Sequence, residues 1–184
     1  MDWYNRRMFE LKVDEHLVIH PYAAEDSPSL FRLIDANRDH IGKYLVWVEG
    51  TKAVADSADF INETLPRVEA GKTLAGGIWQ DDELIGGISL EIAGNDIHEP
   101  GEIGYWLAAS ATGKGVMTRC VRALGEYGHD KFGLTRLLIR ARPDNRASAQ
   151  VAMRIGYKHV GRDIGVQRQG THIYDLDRYV LTFP

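Results

Sequence analysis

The chain has 184 residues, with 22 Lys and Arg against 26 Asp and Glu, and a formal net charge of −4. This length suits a single domain over 1–184, and 44% hydrophobic residues exclude a disordered chain. The negative charge argues against direct binding of nucleic acid. No apolar run approaches the roughly 20 residues that span a bilayer, and residues 1–7 lack the apolar stretch of a secretory signal. We therefore expect a cytoplasmic protein that does not insert into a membrane.

Apolar periodicity and turn residues predict a mixed α/β chain with the element order β-α-α-β-β-β-α-β-α-β-β. In chain order these are a strand at 17–21, a helix from Ser27-Pro28, a helix at about 54–70, strands at 73–80, 84–92 and 102–107, a helix through 117–127, a strand at 137–139, a helix from 145 to 156, and strands at 158–164 and 171–183.

Turn residues set several of these boundaries. Pro66 should kink or divide the second helix, and Gly71 should close it. The three residues Asp81-Asp82-Glu83 between two β-type runs predict a hairpin. The first half of the chain is therefore expected to form an antiparallel sheet.

The glycine-rich segment Thr112-Gly113-Lys114-Gly115 lies between a predicted strand and an amphipathic helix. A helix start offers unpaired backbone N–H groups, and glycines before it let a phosphate approach closely. The segment lacks the third glycine of a dinucleotide fingerprint, because Thr118 stands there. It is therefore a candidate pyrophosphate turn or simply a tight connection.

Further motifs add specificity to this turn. Gly-Tyr-Trp-Leu at 104–107 precedes Gly-Lys-Gly, Asn145-x-x-Ser148 opens a later helix, and Arg154-Ile155-Gly156-Tyr157 ends that helix. Over roughly 102–160 the sequence resembles the GCN5-related N-acetyltransferase (GNAT) superfamily. It is most similar to the RimJ/RimL-type ribosomal-protein-alanine acetyltransferases.

The resemblance implies a GNAT fold, with a mixed and mostly antiparallel sheet flanked by helices. It also implies acetyl-CoA as cosubstrate, no metal, and a homodimer as a family habit. The residues implied to bind coenzyme A are Leu107, Ala108, Ala109, Gly113, Lys114, Gly115, Val116, Met117, Asn145 and Ser148.

Two residues are the implied catalytic groups: Glu102 as general base and Ser148 as proton donor to the leaving thiolate. The alternatives are that Glu102 is a salt-bridge partner, Ser148 a surface hydroxyl and Asn145 only a helix cap. Many family members carry a tyrosine acid where this chain has Ala152, so a different proton donor is needed.

Other reactive residues have structural explanations. Cys120 lies on the apolar face of its helix and is expected in the core, not as a nucleophile. His16 and His20 have a helical metal spacing, but His20 falls in a β-type run. The aromatic residues Tyr44, Trp47 and Trp106 could line an acceptor pocket or fill the core.

The acceptor follows only from the resemblance, which implies the N-terminal amine of a ribosomal protein attacked directly in a ternary complex. A small amine, such as a polyamine, an amino acid or an aminoglycoside, is an alternative acceptor. A non-catalytic acyl-CoA-binding module is an alternative of another class.

Overall fold

The computed structural model describes residues 9–92 and 100–184, which form an eight-stranded sheet flanked by helices. The strands are β1 Leu11–Lys12, β2 Leu17–His20, β3 Thr73–Gln80, β4 Glu83–Glu91, β5 Gly101–Leu107, β6 Arg136–Ala141, β7 Lys158–Gln169 and β8 His172–Thr182. The α-helices are α1 Ser27–Ala36, α2 Arg38–Ile41, α3 Val54–Glu69, α4 Val116–Phe132 and α5 Arg146–Ile155. Short 3-10 turns lie at Ala24–Asp26, Val46–Glu49 and Ala109–Ala111.

The strand order is β1-β2-β3-β4-β5-β6-β8-β7, and all neighbours are antiparallel except β5 and β6. The predicted mixed, mostly antiparallel sheet is confirmed. Two elements were missing from the sequence prediction, β1 and α2. They have two and four residues, too few to show a period of 2 or 3.6.

The hairpin between β3 and β4 corrects the predicted three-residue turn. Glu83 already pairs with Gln80, so the turn holds only Asp81 and Asp82. Both have positive φ, at 48° and 64°, as in the type I′ turns that match the twist of paired strands. The second helix, α3, runs through Pro66 without being divided, and Gly71 follows it at a φ of +65°.

The parallel pair β5–β6 creates the main opening in the sheet. Only Gly101 and Glu102 are in register with Leu137 and Leu138. Beyond Glu102 and Leu138 the two strands continue to 107 and 141 but no longer pair with each other. A gap therefore opens between them toward their carboxyl ends. Open sheets bind ligands at such strand ends. The two helices that follow these strands, α4 and α5, begin at this opening.

Apolar side chains fill both faces of the sheet. The larger cluster packs α4 against the strands through Val121, Leu124 and Ile103. A second cluster lies under α1 and α3 and includes Leu30 and Ile61. No helix within 9–92 and 100–184 is long and apolar enough to cross a membrane. Residues 1–7, on which the secretory-signal argument depended, lie outside the described ranges.

Candidate active site

A groove of about 340 Å³ opens beside the carboxyl end of β5. One wall is the end of β5 and the start of α4, the other is α5 from Asn145 to Arg154, and residues of the segment 40–45 complete it. Seven of the predicted coenzyme-binding residues line it: Leu107, Gly113, Gly115, Val116, Met117, Asn145 and Ser148. The fold therefore brings together two motifs that are about 30 residues apart in sequence.

The amino terminus of α4 has the properties of an anion site. Gly113 and Gly115 have φ of +77° and +71°, left-handed conformations that other residues rarely adopt. Gly115 is the N-cap, and neither a side-chain cap nor an acidic residue occupies the first turn. The unpaired N–H groups and the positive end of a 17-residue helix therefore remain available at the groove.

Three of the predicted coenzyme-binding residues do not line the groove: Ala108, Ala109 and Lys114. The Ala108 N–H donates to the Ile85 carbonyl at 2.8 Å, and the Ala109 N–H donates to Asn37 Oδ1 at 2.9 Å. These two N–H groups already have partners within the protein. Lys114 is exposed, and its carbonyl accepts from Arg119 at 3.3 Å.

Ser148 and Asn145 meet at the start of α5. The Ser148 N–H donates to Asn145 Oδ1 at 3.2 Å, so Asn145 caps the helix while also lining the groove. Ser148 Oγ lies 2.9 Å from the hydroxyl of Tyr105, which projects from β5. Burial raises the pKa of Tyr105 to about 12, so its hydroxyl stays protonated at neutral pH. This contact of Tyr105 could not be predicted from the sequence, because 43 residues separate it from Ser148.

Glu102 lies at the closed end of the gap, where β5 and β6 still pair. Its two carboxylate oxygens accept from Arg140 Nε and Nη2, both at 2.9 Å. It does not line the groove or the second cavity. The salt-bridge alternative is thus observed, while a role for Glu102 as a base stays a prediction.

A second cavity, of about 450 Å³, lies across β5 from the groove, beneath α1 and α3. Small residues of the sheet lie beneath it: Ala75, Gly76, Gly87, Ser89 and Gly104. A Cβ on Gly87 would fall 2.6 Å from Trp106 Nε1 and 2.7 Å from the Tyr22 hydroxyl. Only glycine therefore lets these two rings lie so close to the strand.

The walls of this second cavity are mainly aromatic, with Tyr22, Trp47, Phe60 and Trp106. Trp47 and Trp106 meet edge to face, with ring centroids 6.2 Å apart. Asp56 is the one charged residue among the described residues that line it. Its carboxylate accepts the N–H groups of Lys52 and Ala53 at 2.7 and 2.8 Å, which lowers its pKa.

The groove and the second cavity share three lining residues, Leu45, Tyr105 and Trp106. The segment that supplies Leu45 is held by side chains from the far half of the sheet. The carbonyls of residues 42, 43 and 44 accept from Gln169 at 2.7 Å, Arg142 at 2.9 Å and Gln167 at 3.0 Å. Arg142 and the final hairpin therefore hold the segment that carries Leu45, one of the three residues shared by the groove and the second cavity.

Arg142 anchors this arrangement from the end of β6. Its guanidinium is buried, lies 3.5 Å above the centre of the Tyr174 ring, and makes two hydrogen bonds to Asp144, at 3.1 and 3.0 Å. No sequence motif signalled this role, because its partners come from three separate segments.

Comparison with known proteins shows the family to which the chain belongs. Residues 16–158 match the family model described as the acetyltransferase (GNAT) domain, well over half of the chain. The chain belongs to the GNAT acetyltransferase family. YdaF of Bacillus subtilis (strain 168) is 35% identical over 181 residues, covering 95% of each chain. The ribosomal-protein-serine acetyltransferase of Escherichia coli (strain K12) is 31% identical over 147 residues, covering 80% of this chain and 82% of the relative.

Solved structures share the fold of this GNAT protein. RimL, a ribosomal alpha-N-protein acetyltransferase in complex with coenzyme A, superimposes with a TM-score of 0.89 at 22% identity. It covers 95% of this chain and 98% of its own. The microcin self-immunity acetyltransferase MccE, in complex with acetyl-CoA and AMP, has a TM-score of 0.88 at 25% identity, covering 94% and 95%. The family resemblance and the enzyme class inferred from the sequence are confirmed.

Cys120, His16 and His20, the other reactive residues weighed from the sequence as nucleophile or metal ligands, do not line the groove. Cys120 is fully buried, and burial raises the pKa of its thiol to about 12, as expected of a core residue. His20 stacks on Trp79 at 4.8 Å, and His16 faces Asp81 at 2.8 Å.

Proposed function

We propose that this GNAT enzyme transfers the acetyl group of acetyl-CoA to the N-terminal α-amine of a protein, by direct attack in a ternary complex. The main support for this proposal is that the groove and the second cavity share a wall formed by Leu45, Tyr105 and Trp106. A thioester in the groove and an amine in the cavity would meet at these residues. Direct attack then needs only proximity and orientation.

Coenzyme A fits the groove by its chemistry. The start of α4, with its left-handed Gly113 and Gly115, offers uncapped N–H groups to a pyrophosphate. Asn145 and Ser148 face the same groove from α5, where the pantetheine arm would lie. Lys114 could add positive charge from the exposed side of the turn.

An α-amine fits the second cavity better than a polycation does. Asp56 is the one carboxylate of the described lining, and two backbone N–H groups already donate to its Oδ2, so this lining offers a polyamine or aminoglycoside few anionic contacts. At pH 7 roughly a tenth of an α-amine is neutral, against well under a hundredth of a lysine amine. An α-amine therefore needs less help to become a nucleophile.

Two groups are assigned to the amine proton and to the charge that develops on sulfur. Glu102, paired with Arg140 at the closed end of the gap, would remove the amine proton through water. Ser148 would face the leaving sulfur from α5. Buried Cys120 is not available for a covalent acetyl intermediate.

A ribosomal protein terminus in the cytoplasm is the proposed acceptor. The E. coli relative, 31% identical, is named a ribosomal-protein-serine acetyltransferase, which supports this choice. The test is release of free thiol from acetyl-CoA with a panel of amines. Peptides with a free N-terminus should be acetylated, and the same peptides with a blocked N-terminus but a free lysine should react far more slowly.

Two outcomes would overturn this assignment. A preference for lysine, polyamine or aminoglycoside amines over α-amines in competition would place the enzyme among the small-amine or side-chain acetyltransferases. Tight coenzyme A binding without thiol release for any amine would favour a non-catalytic acyl-CoA-binding module.

A further inference from the structure

Ala152 leaves the first turns of α5 without the tyrosine acid of many relatives, yet a tyrosine hydroxyl is present at the groove. Tyr105 comes from β5, on the opposite wall, and its hydroxyl lies 2.9 Å from Ser148 Oγ and 3.3 Å from the Ser148 carbonyl. Tyr105 also lines both the groove and the second cavity. The hydroxyl pair therefore lies where the thioester and the amine are proposed to meet.

We infer that Tyr105 is a positioning residue that donates a hydrogen bond to Ser148 Oγ and thereby directs the Ser148 hydrogen toward the sulfur of coenzyme A. The phenol is the more acidic of the two hydroxyls, which makes it the better donor, and it lies closer to Ser148 Oγ, at 2.9 Å, than to the competing Ser148 carbonyl, at 3.3 Å. Once Tyr105 supplies the hydrogen between the two oxygens, the hydrogen of Ser148 is free to point into the groove. This inference rests on the proposed function.

The reaction balances without a proton leaving Tyr105. The amine nitrogen forms a bond to the acetyl carbon, the carbon–sulfur bond breaks, and the electron pair stays on sulfur. Ser148 donates a hydrogen bond to the thiolate, and its oxygen is in turn held by Tyr105. The attacking nitrogen loses its proton to Glu102 through water, and that proton then reaches the thiolate through solvent to give the thiol.

Donors that are fixed before charge develops stabilise that charge more than mobile ones do. Burial keeps Tyr105 protonated across the working pH range, since it raises its pKa to about 12. The contribution should therefore appear in kcat, when the thiolate forms, and leave the affinity for coenzyme A unchanged.

Four proteins test this inference: the wild type, Tyr105→Phe, Ser148→Ala and the double variant. Removing one net hydrogen bond should lower kcat about three- to tenfold in Tyr105→Phe, with Kd for coenzyme A within about twofold. In the Ser148→Ala background, Tyr105→Phe should have no further effect, because its action passes through Ser148. Single-turnover assays with excess enzyme keep slow variants measurable.

Tyr157→Phe is the matched control. This second tyrosine is also buried, but its hydroxyl has no hydrogen-bond partner among the described residues and does not line the groove. Its loss should leave kcat unchanged.

The possible results separate the inference from the proposed function. A wild type that transfers acetyl to no amine overturns the function. A wild type that does transfer, with Tyr105→Phe equally fast, overturns only the role of Tyr105. An undiminished effect of Tyr105→Phe in the Ser148→Ala background, or an equal loss of coenzyme affinity, also contradicts it.

Discussion

The turn before α4 allows a sharp test of the coenzyme site, because the same helix has a similar glycine at its other end. Gly115 and Gly133 have φ of +71° and +68° at the N- and C-terminal ends of α4. A Cβ at Gly115 would meet only Arg119, at 3.5 Å, and one at Gly133 would meet nothing within 4 Å. Gly115→Glu and Gly133→Glu thus introduce the same charge and the same backbone strain.

The effect on coenzyme binding should differ between the two variants. A carboxylate about 6 Å from a bound phosphate, at an effective dielectric constant of about 20, costs about 3 kcal/mol per unit charge, or roughly 100-fold in Kd. A helix of 17 residues is about 25 Å long, so a charge at Gly133 lies well beyond the Debye length of about 8 Å. Gly133→Glu should therefore leave Kd unchanged.

The effect on stability should have the opposite order. The left-handed conformation costs about 1–2 kcal/mol in both variants. The helix dipole adds about 0.3–1 kcal/mol, favourable for an acidic residue at the N-terminus and unfavourable at the C-terminus. Gly133→Glu should consequently unfold at the lower temperature while binding coenzyme A normally.

Calorimetric titration with coenzyme A and scanning calorimetry of the free proteins measure both quantities. Gly115→Gln, which has the strain without the charge, shows how much of the binding loss is electrostatic. Wild-type affinity in Gly115→Glu would place the cofactor elsewhere, and equal losses in both Glu variants would mean that general destabilisation weakens binding.

Three further predictions address the acceptor, the base and the acid sensitivity. A Cβ at Gly104 would meet only Ser89 Oγ, 3.4 Å away, so Gly104→Val should fold and keep coenzyme affinity. It should raise the acceptor KM about tenfold or more, because its side chain enters the second cavity. Glu102→Gln should slow turnover at least about tenfold at pH 6.5, with a smaller loss near pH 9. Full activity of this variant at pH 6.5 would show that Glu102 is not the base and only pairs with Arg140. The hydrogen bonds from Arg162 lower the pKa of Asp177 in the folded protein. Their contribution to the free energy of unfolding is therefore full above the unfolded-state pKa of 3.8 and is lost as the pH falls further. Asp177→Asn should consequently show a smaller drop in urea stability between pH 5 and pH 2 than the wild type.

Local signals were sufficient for most of the elements. The stripe through Met117, Cys120 and Leu124 predicted the buried face of α4, and Gly156 ended α5 in a left-handed conformation, at a φ of +109°. These features depend on residues within one or two turns of each other. For Asn145 the sequence left two alternatives, coenzyme contact or only a helix cap, and the structure shows it capping α5 while lining the groove.

The pairing between distant segments could not be predicted in this way. The point where β5 and β6 separate depends on register, which the sequence of neither strand shows. The contact between Tyr105 and Ser148 exists only because that gap places β5 opposite α5. Arg142 and Gln167, which hold the segment at 42–45, act across about 100 and 123 residues of sequence. A charged residue near a turn has many possible partners, and only the fold selects one.

One strand accounts for the proposed meeting of the two substrates. Successive side chains of β5 point to opposite faces, so Tyr105 joins the cluster beneath α4 and Trp106 joins the cluster beneath α1 and α3. In a continuous sheet these two residues would be separated by a closed layer of backbone. Because β5 and β6 no longer pair beyond Glu102, that layer is open beside Tyr105. Tyr105 and Trp106 therefore each line both the groove and the second cavity. In the proposed ternary complex the acceptor would therefore approach from one face and the thioester from the other, with the reacting atoms meeting at the edge of β5.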